Sequence, residues 1–369
     1  MNERSFSPSS NGLVSAPRSV ASLPRVCVYL ESPKMLAYTG IRSALRHHQR
    51  ALELANIPYT TDPASDYEVL HLHWIGVRSL SSLLRARSKE IKVVIHAHST
   101  DRTTQGSITA SGVFAQVGRR YMNFFYKSVD HIVAPSPYTR DLLQSYGIKT
   151  PISVISNGVD RSRFQFCAEK REKFRQQFGL KKFTVFGVGQ VIPRKGIIDF
   201  IEVARALPDF DFIWFGHRLP DWMNYHPALL RAIEGRPRNV HFPGFIEDAA
   251  GTFCAGDILF FSSYEENQPV TLLEVASLGL PAIVRNIPAY EGWLQSGINC
   301  LKGKTVDDFI GHLKLLAQDS VLRTQLGQKA QKLAEGHRLE RVGADYRNFY
   351  TSLMGAAAEV DTRLSDRVE

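Results

Sequence analysis

The sequence predicts an α/β protein built from two doubly wound domains of parallel sheet, and three observations support this. Short buried apolar runs alternate with helical patterns along the chain, as is typical of βαβ units. The alternation starts again after residue 180 and is more regular in the second half. The 369 residues suffice for two domains that each bury their own core.

Composition limits the classes of protein to consider. Apolar residues make up 44% of the chain, as in ordinary globular proteins. No run of about eighteen apolar residues occurs, so we expect no transmembrane helix. Residues 1–22 are rich in Ser, Pro, Asn and Ala and predict a disordered tail, not a signal peptide. The four cysteines are scattered, which favours a reducing compartment and argues against zinc.

The positive charge is concentrated in the first half. Residues 1–165 contain 20 Lys and Arg against 11 Asp and Glu, whereas residues 166–369 contain 25 of each class. The whole surplus of +9 therefore belongs to the first half. Such a half can face nucleic acid or an anionic membrane, where each basic residue contributes about 1 kcal/mol.

The first half contains five predicted strands and several basic helices. The strands are 26–30, 68–74, 92–95, 132–135 and 152–155. A helix beginning near Gly40 and continuing to about Asn56 carries Arg42 and several further basic residues. Glycine at the start of such a helix lets the backbone approach a ligand closely.

Two histidines end the strand 92–95. His96 and His98 are two apart, so on a continued strand they point the same way, and metal binding has to be considered. No Cys, Asp or Glu cluster accompanies them and His71 and His73 belong to another strand, so we expect no zinc site. The carboxyl end of a strand faces the ligand crevice in this class of fold. The alternative is that both are core histidines bonded to the backbone.

Residues 111–130 form the segment most suited to a membrane. Aromatic residues recur there at helical spacing with Arg119, Arg120 and Lys127 between them. A basic helix with an aromatic side can lie in a bilayer interface. The alternative is that the aromatic residues face the core of the domain.

The second half is organised around residues 257–284, which predict strand, loop, helix and strand. Pro269 suits the first position of the helix, and Gly279 suits the position just past its end. Glu266 lies in the loop and Glu274 in the helix. A helix N-terminus after a parallel strand suits an anion, and nearby carboxylates suggest a ligand that also carries hydroxyls.

The spacing of these two carboxylates disfavours a hydrolase. If both were helical they would lie about 12 Å apart along the axis. A glycosidase pair needs roughly 5 to 9.5 Å. Two hydrogen-bonding positions on an extended ligand fit better, and the alternative is that Glu266 and Glu274 are solvated surface residues.

Further strands of the second half are predicted at 183–187, 211–216 and 239–244. Arg194 and Lys195 follow the first of these strands and are placed to meet a diphosphate.

The spacing Glu266-x7-Glu274 followed by LEVASLGLP resembles the signature of retaining GT-B glycosyltransferases of family 4. This resemblance implies that Glu274 binds the nucleotide ribose, that Glu266 contacts the transferred sugar, and that His98, with His96 as second choice, contacts that sugar or the acceptor. It implies catalytic roles for Lys195, Arg194, Glu266 and His98. The further substrate-binding residues that it implies are Gly40, Arg42, His96, Gln190, Phe245, Ile246, Asn267, Gln268, Pro269, Val270 and Glu274.

The chain departs from the family pattern at three places. It has EENQP where relatives have an EGFG-like start, and TGIR where relatives often have GIG, so Arg42 replaces the second glycine. Gln190 occupies the position of a common arginine, and Arg194 could supply that charge instead. Segments such as HAHST, ISNGVD and RKGIIDFIEVA resemble bacterial 1,2-diacylglycerol 3-glucosyltransferases most.

The resemblance implies a GT-B enzyme with two Rossmann-like domains and the active site in the cleft between them. The expected parts are a nucleotide-sugar domain at 166–337, a disordered tail at 358–369, and an acceptor and membrane-facing domain at 23–165 with a C-terminal helix at about 338–354 that stops at Gly355. We expect metal-independent transfer of glucose from UDP-glucose to diacylglycerol, with no cofactor, on the inner face of the plasma membrane.

Several alternatives stay open at this point. The same fold could act on a soluble or polysaccharide acceptor, could serve as a non-catalytic partner subunit, or could epimerise a UDP-sugar. A dehydrogenase is disfavoured because no G-x-G-x-x-G opens either half. Nucleic-acid binding is supported by charge alone and is not expected.

Overall fold

The structure is a computed structural model that describes residues 23–33, 36–105, 113–218 and 226–365. The strands are β1 Val26–Tyr29, β2 Tyr59–Thr60, β3 Val69–Leu72, β4 Lys92–His96, β5 His131–Ala134, β6 Ile152–Val154, β7 Phe183–Val188, β8 Phe210–Phe215, β9 Val240–Gly244, β10 Ile258–Phe261, β11 Ala282–Arg285 and β12 Leu301–Gly303. The helices are α1 Gly40–Leu54, α2 Val77–Arg87, α3 Asp101–Gln105, α4 Val113–Lys127, α5 Pro137–Ser145, α6 Ala168–Phe178, α7 Ile197–Ala206, α8 Pro227–Glu234, α9 Ala249–Cys254, α10 Val270–Ser277, α11 Val306–Gln318, α12 Ser320–Glu335 and α13 Leu339–Ser365. Short 3₁₀ turns occupy Pro193–Lys195 and Pro288–Tyr290.

Two six-stranded sheets form the framework, and every strand pairing in them is parallel. The first has the order β2-β1-β3-β4-β5-β6, and the second the order β12-β11-β10-β7-β8-β9. The predicted pair of doubly wound sheets is therefore confirmed. In each sheet, successive strands are added first on one side of the starting strand and then on the other. This switch lies between β1 and β3 in the first sheet and between β7 and β10 in the second. Ligands of such folds bind beyond the carboxyl ends of the strands at this point.

The predicted strands occur within one or two residues of their expected bounds, but two edge strands were missed. β2 has two residues and β12 has three, so neither shows enough alternation to be recognised in the sequence. The expected start of α10 is also one residue early, because Pro269 is the N-cap and Val270 opens the helix. Gly279 follows its end in the left-handed conformation, as predicted.

The last helix, α13, corrects an expectation. It runs through Gly355 to Ser365, so the predicted stop at Gly355 was wrong, while the disorder of residues 358–365 stays a prediction. A glycine costs only about 1 kcal/mol inside a helix, and the three alanines that follow it are the best helix formers. The segments 1–22 and 366–369, also expected to be disordered, lie outside the described residues.

α13 packs against the first sheet although it follows the second in the chain. Its buried residues Val342, Tyr346 and Tyr350 belong to the same apolar cluster as Val26 and Val28 of β1. α13 also lies along α1, and a Cβ on Gly343 would come within 2.5 Å of the Ala51 carbonyl oxygen. The absence of a side chain at this position therefore allows the two helices to approach closely.

α4 divides its aromatic residues between the core and the surface. Met122, Phe125 and Tyr126 are buried in the core of the first sheet. Val117 and Phe124 are exposed, so the core alternative holds for part of this segment, and the membrane alternative stays a prediction. The side chain of Phe114, another residue of the predicted stripe, lies outside the described ones. Within the described chain, no helix combines the length and apolar character needed to cross a bilayer.

Candidate functional site

A cluster of two cations and one carboxylate lies at the switch point of the second sheet. Arg194 and Lys195 belong to the 3₁₀ turn after β7, and Glu266 belongs to the loop after β10. The Lys195 Nζ atom lies 2.5 Å from Glu266 Oε1, and the Arg194 Nη1 atom lies 3.4 Å from the same oxygen. The structure therefore brings together three of the four residues expected to be catalytic.

The charges of this cluster stabilise one another. Burial by itself raises the pKa of Glu266, but Lys195 and Arg194 outweigh burial and bring the pKa below its usual value. Burial lowers the pKa of Lys195, while Glu266 opposes that shift. Glu266 is buried, and its two cationic partners keep it ionised, so the alternative of a solvated loop residue is wrong. An incoming anion would meet both cations at a point shielded from water.

Gly196 explains how the two loops come so close. It has a φ of +70°, a conformation that side chains disfavour. A Cβ at this position would lie 2.3 Å from the Ser262 carbonyl oxygen. The Ser262 hydroxyl in turn donates to the Lys195 carbonyl oxygen over 2.9 Å. The lysine–glycine pair found in the sequence is thus required by the packing of one loop against the other.

Glu274 lies in α10 and faces the first half of the chain. Its side chain is buried, so the alternative of a surface helix position is wrong. Burial raises its pKa to about 7, against the opposing effect of Arg163 and Arg46. The Glu274 Oε1 atom lies 3.9 Å from His47 Nε2, and burial lowers the pKa of that histidine to about 4. The histidine is neutral, so it forms no ion pair with the carboxylate.

The loop after β10 is held by residues of the first half. The Asn267 side-chain amide donates to the carbonyl oxygen of His98 over 2.8 Å. The Asn157 backbone N–H donates to Gln268 Oε1 over 2.8 Å, and the Asn157 amide donates to the Gln268 carbonyl oxygen over 2.8 Å. Tyr138 adds a hydrogen bond to Glu265 over 2.6 Å. His98 therefore borders the same cleft as Glu266, with Asn267 between the two halves.

Other predicted residues lie around this cleft. Gly40 is exposed as the first residue of α1, and Arg42 in the same turn donates to the Pro33 carbonyl oxygen over 3.3 Å. Gln190 is partly exposed in the loop after β7, on the same chain segment as Lys195. Pro269 and the buried Val270 stand at the N-terminus of α10.

The loop that carries the predicted substrate-binding residues Phe245 and Ile246 meets an aromatic residue from the first half. The exposed ring of Phe245 lies 4.8 Å from that of Tyr38, which stacks at 4.5 Å on His217. Ile246 beside it is partly buried. Sequence reasoning missed Tyr38 and His217, because nothing local shows that residues so far apart in the chain meet at the mouth of the cleft.

His96 is buried behind the cleft, and its surroundings correct an expectation. Its Nε2 atom lies 3.1 Å from Asn157 Oδ1, which links it to the loop after β6. His71 and His73 were thought remote because they belong to another strand, but β3 pairs directly with β4. The rings of His73 and His96 stack with centroids 5.1 Å apart. The missed signal was the alternation of histidines in both strands, which places all of them on one face of the sheet.

Sequence comparison places this geometry in a known family. The profile described as Glycosyltransferase Family 4 matches residues 7–163, and the profile described as Glycosyl transferases group 1 matches residues 169–333. The chain is 32% identical over 336 residues to the processive diacylglycerol alpha-glucosyltransferase of Acholeplasma laidlawii, covering 89% of this chain and 98% of the relative. It is 27% identical to the alpha-galactosylglucosyldiacylglycerol synthase of Streptococcus pneumoniae, covering 87% and 88% respectively.

Solved structures share the fold at low sequence identity. Anabaena HepE in complex with UDP-glucose superposes with a TM-score of 0.74 at 16% identity, covering 89% of this chain and all of that one. The sucrose-phosphate synthase of Thermosynechococcus elongatus superposes with a TM-score of 0.75 at 16% identity, covering 90% and 99%. Together with the two parallel sheets and the paired Lys195 and Glu266, these matches show that the chain belongs to the family 4 glycosyltransferases of GT-B fold.

Proposed function

We propose that the protein transfers a glucosyl group from UDP-glucose to the free hydroxyl of diacylglycerol, with retention of configuration, on the cytoplasmic face of the membrane. The relatives named for diacylglycerol glycolipids support the acceptor. The observation that carries the proposal is the cluster of Arg194, Lys195 and the buried Glu266, next to Asn267, whose amide donates to the His98 carbonyl oxygen in the other half. It combines positive charge for a diphosphate with acceptors for sugar hydroxyls.

The proposed reaction breaks one bond and forms one. The bond between the anomeric carbon and the diphosphate oxygen breaks, and the acceptor oxygen bonds to that carbon on the same face. The acceptor proton passes to the departing phosphate oxygen. Lys195 and Arg194 stabilise the negative charge that develops there, a form of electrostatic stabilisation that often dominates catalysis. We propose that these side chains supply this charge without a metal ion.

The remaining residues bind the donor. Glu274 would accept hydrogen bonds from the ribose hydroxyls, and Glu266 from the sugar. The backbone near Phe245 and Ile246 would contact the base, while Gly40 and Arg42 would approach the diphosphate from the first half. Substrate binding would require the cations to exchange part of their contact with Glu266 for the phosphates.

The first experiment measures transfer with purified full-length protein and vesicles containing dioleoylglycerol. We expect glucosyl transfer from UDP-glucose, an α-linked product by NMR, and activity that persists in a metal chelator. Transfer only to a soluble sugar or polysaccharide would contradict the lipid acceptor. No turnover of any UDP-sugar, by transfer or hydrolysis, would instead indicate a non-catalytic subunit.

Lys195→Gln tests the cationic cluster. We expect kcat to fall by about 10²–10³-fold, the usual effect of removing one preorganised group that stabilises developing charge. The matched control is Lys329→Gln, an exposed lysine of α12, which should leave kcat unchanged. Equal activity of both variants would show that Lys195 is not required for catalysis.

An exposed patch on α2 and α4 supports binding to an anionic membrane. Its apolar residues are Val77, Leu84, Val117 and Phe124, with 81%, 59%, 58% and 55% of their surface exposed. The same two helices and their flanks carry exposed basic residues: Arg78, Arg85, Arg87, Lys89, Arg119, Arg120 and Lys127. The Tyr121 hydroxyl of α4 donates to the Gly76 carbonyl oxygen before α2, which joins the helices. Exposed apolar groups and cations on the same pair of helices suit a lipid interface.

Vesicle sedimentation tests this surface. We expect the protein to bind anionic vesicles more tightly than zwitterionic ones and to be released by salt, because screening weakens such attraction. The double variant Leu84→Ser, Phe124→Ser should bind less, whereas Leu315→Ser, an exposed leucine of α11 in the other half, should not. If neither variant lost vesicle binding, this patch would be excluded as the membrane contact.

A further inference from the structure

A continuous row of hydrogen bonds runs from the cleft into the first half of the molecule. His73 Nδ1 lies 2.8 Å from His98 Nε2, and His73 Nε2 lies 2.9 Å from His48 Nδ1. His48 Nε2 lies 3.2 Å from the Tyr350 hydroxyl, which lies 2.6 Å from His71 Nδ1. We call these five residues the histidine relay.

The relay connects elements that are far apart in the chain. His71 belongs to β3, His73 directly follows β3 and His98 follows β4, so two neighbouring strands and the residues just past their ends supply three members. His48 comes from α1 and Tyr350 from α13, the two helices that cover this face. Four members are buried and His98 is partly exposed at the cleft. Burial holds the pKa of all four histidines well below the usual range, so they are neutral.

A metal site is the first alternative for so many imidazoles. One ring nitrogen each from His48, His71 and His73 lies within 4.8 Å of the others. However, the contacts of 2.8 and 2.9 Å are hydrogen-bond lengths. Two nitrogens bound to one tetrahedral zinc at ~2.0–2.1 Å would lie about 3.3 Å apart. Hydrogen bonds already occupy both nitrogens of His48 and His73, so the contacts favour a hydrogen-bonded chain.

A chain of neutral imidazoles can be polarised in only two ways. Each ring has one N–H and one lone pair, and the buried Tyr350 hydroxyl must donate its one proton to one of its two histidine neighbours, so the direction of one bond sets the direction of all the others. The inner end is His71 Nε2, which is buried and has no hydrogen-bond partner among the residues that the structure describes. A buried donor without an acceptor is rarer in folded proteins than an acceptor without a donor. His71 Nε2 therefore carries the lone pair, and His71 Nδ1 carries the proton.

The remaining protons follow from this one. His71 Nδ1 donates to the Tyr350 oxygen, the Tyr350 hydroxyl donates to His48 Nε2, and His48 Nδ1 donates to His73 Nε2. His73 Nδ1 then donates to His98 Nε2. With Nε2 accepting, the proton of His98 is on Nδ1, its second ring nitrogen.

We propose that the histidine relay fixes His98 in the Nδ1–H tautomer, so that His98 acts on its ligand as a hydrogen-bond donor and not as a general base. This rests on the proposed function in one respect, namely that the ligand at His98 is the sugar donor. The group bound there must then offer an oxygen lone pair, as a sugar hydroxyl or a phosphate oxygen does. His48, His71, His73 and Tyr350 are positioning residues, because they act on the ligand only through His98.

The decisive measurement is the tautomer of His98 in ¹⁵N-labelled full-length protein without substrate. Imidazole ¹⁵N NMR distinguishes Nδ1–H from Nε2–H, and the signal is assigned by its loss in His98→Gln. We expect Nδ1–H in the unmodified protein. An Nε2–H or a mixed tautomer would overturn the proposal, whatever reaction the enzyme performs.

Two substitutions of His73 separate positioning from a general structural effect. His73→Leu removes the donor to His98, so we expect a mixed tautomer and a fall in kcat of about 10-fold, the value of one hydrogen bond. His73→Asn carries an amide N–H near the place of Nδ1–H, and should restore the tautomer and most of kcat. The control is His131→Leu, a histidine of the neighbouring strand β5 outside the relay, which should leave the tautomer unchanged.

The remaining outcomes are also decisive. An unchanged tautomer in His73→Leu would overturn the relay. Stoichiometric binding of Zn²⁺ that raises Tm and is lost in His73→Leu would replace it by a metal site. If the tautomer behaves as expected but kcat with UDP-glucose is the same in all variants, the relay stands and the proposed place of His98 at the sugar fails.

Discussion

At the scale of single residues, Glu274 shows a conflict between stability and ligand binding. The carboxylate is buried, and burial raises its pKa to about 7, so the charged form is disfavoured in the free protein. Ribose hydroxyls would offer the hydrogen bonds that the carboxylate lacks. Hydrogen bonds to a charged group contribute about 1.5–3 kcal/mol, enough to offset part of the cost of ionisation.

Glu274→Gln should therefore weaken donor binding without destabilising the fold. We expect the KM for UDP-glucose to rise by about 10–100-fold, since hydrogen bonds to a charged group are lost, while Tm stays equal or increases. In the unmodified enzyme, KM should fall as pH rises through 7, because Glu274 ionises there. This pH dependence should vanish in the variant and persist in the control Glu169→Gln, an exposed residue of α6. A pH-independent KM in the unmodified enzyme would contradict the role of Glu274.

At the scale of elements, the contact of α1 with α13 depends on one glycine. A Cβ added to Gly343 would lie 2.5 Å from the Ala51 carbonyl oxygen and 3.0 Å from the Ala55 Cβ atom. Gly355 lies in the same helix with nothing within 4 Å. The two glycines have the same helix propensity but different surroundings, which makes them a matched pair.

Alanine at these two positions should have opposite effects. Gly355→Ala should stabilise the protein by up to about 1 kcal/mol through helix propensity. Gly343→Ala should destabilise it by about 1–3 kcal/mol, because the overpacked helices must separate. Urea unfolding of both variants measures the difference. If Gly343→Ala proved as stable as Gly355→Ala, the close packing of α13 on α1 would be wrong.

At the scale of the whole molecule, the buried histidines make stability depend on pH. His47, His48, His71, His73, His96 and His98 all have pKa values lowered by burial, and those of His47 and His96 are lowered to about 4. In the unfolded chain their pKa is about 6.5. Between these values the unfolded state binds more protons than the folded state. Their contribution to stability is therefore complete above about pH 6.5 and decreases towards pH 4.

We expect the urea midpoint to fall as the pH is lowered from 7.5 to 5. Each of these histidines lowers the free energy of unfolding by up to about 1.4 kcal/mol for each pH unit below its unfolded-state pKa. Glu274 acts in the opposite direction, because its raised pKa favours the folded state as pH falls from 7, but it is one carboxylate against six imidazoles. A midpoint that is constant or increases between pH 7.5 and 5 would show that the histidines are accessible to protons in the folded state.

The sequence by itself determined the two parallel sheets, most strand positions and the residues of the cationic cluster. These depend on local properties: apolar runs predict buried strands, Gly279 ends a helix, and Gly196 after Lys195 permits a turn that side chains disfavour. The tertiary structure decided which histidines meet, that Tyr350 returns to β3, and that Glu274 is buried next to a neutral His47. Strand neighbours, burial and pKa values arise from contacts between residues distant in the chain, and the pattern of one segment does not show which other segment lies beside it.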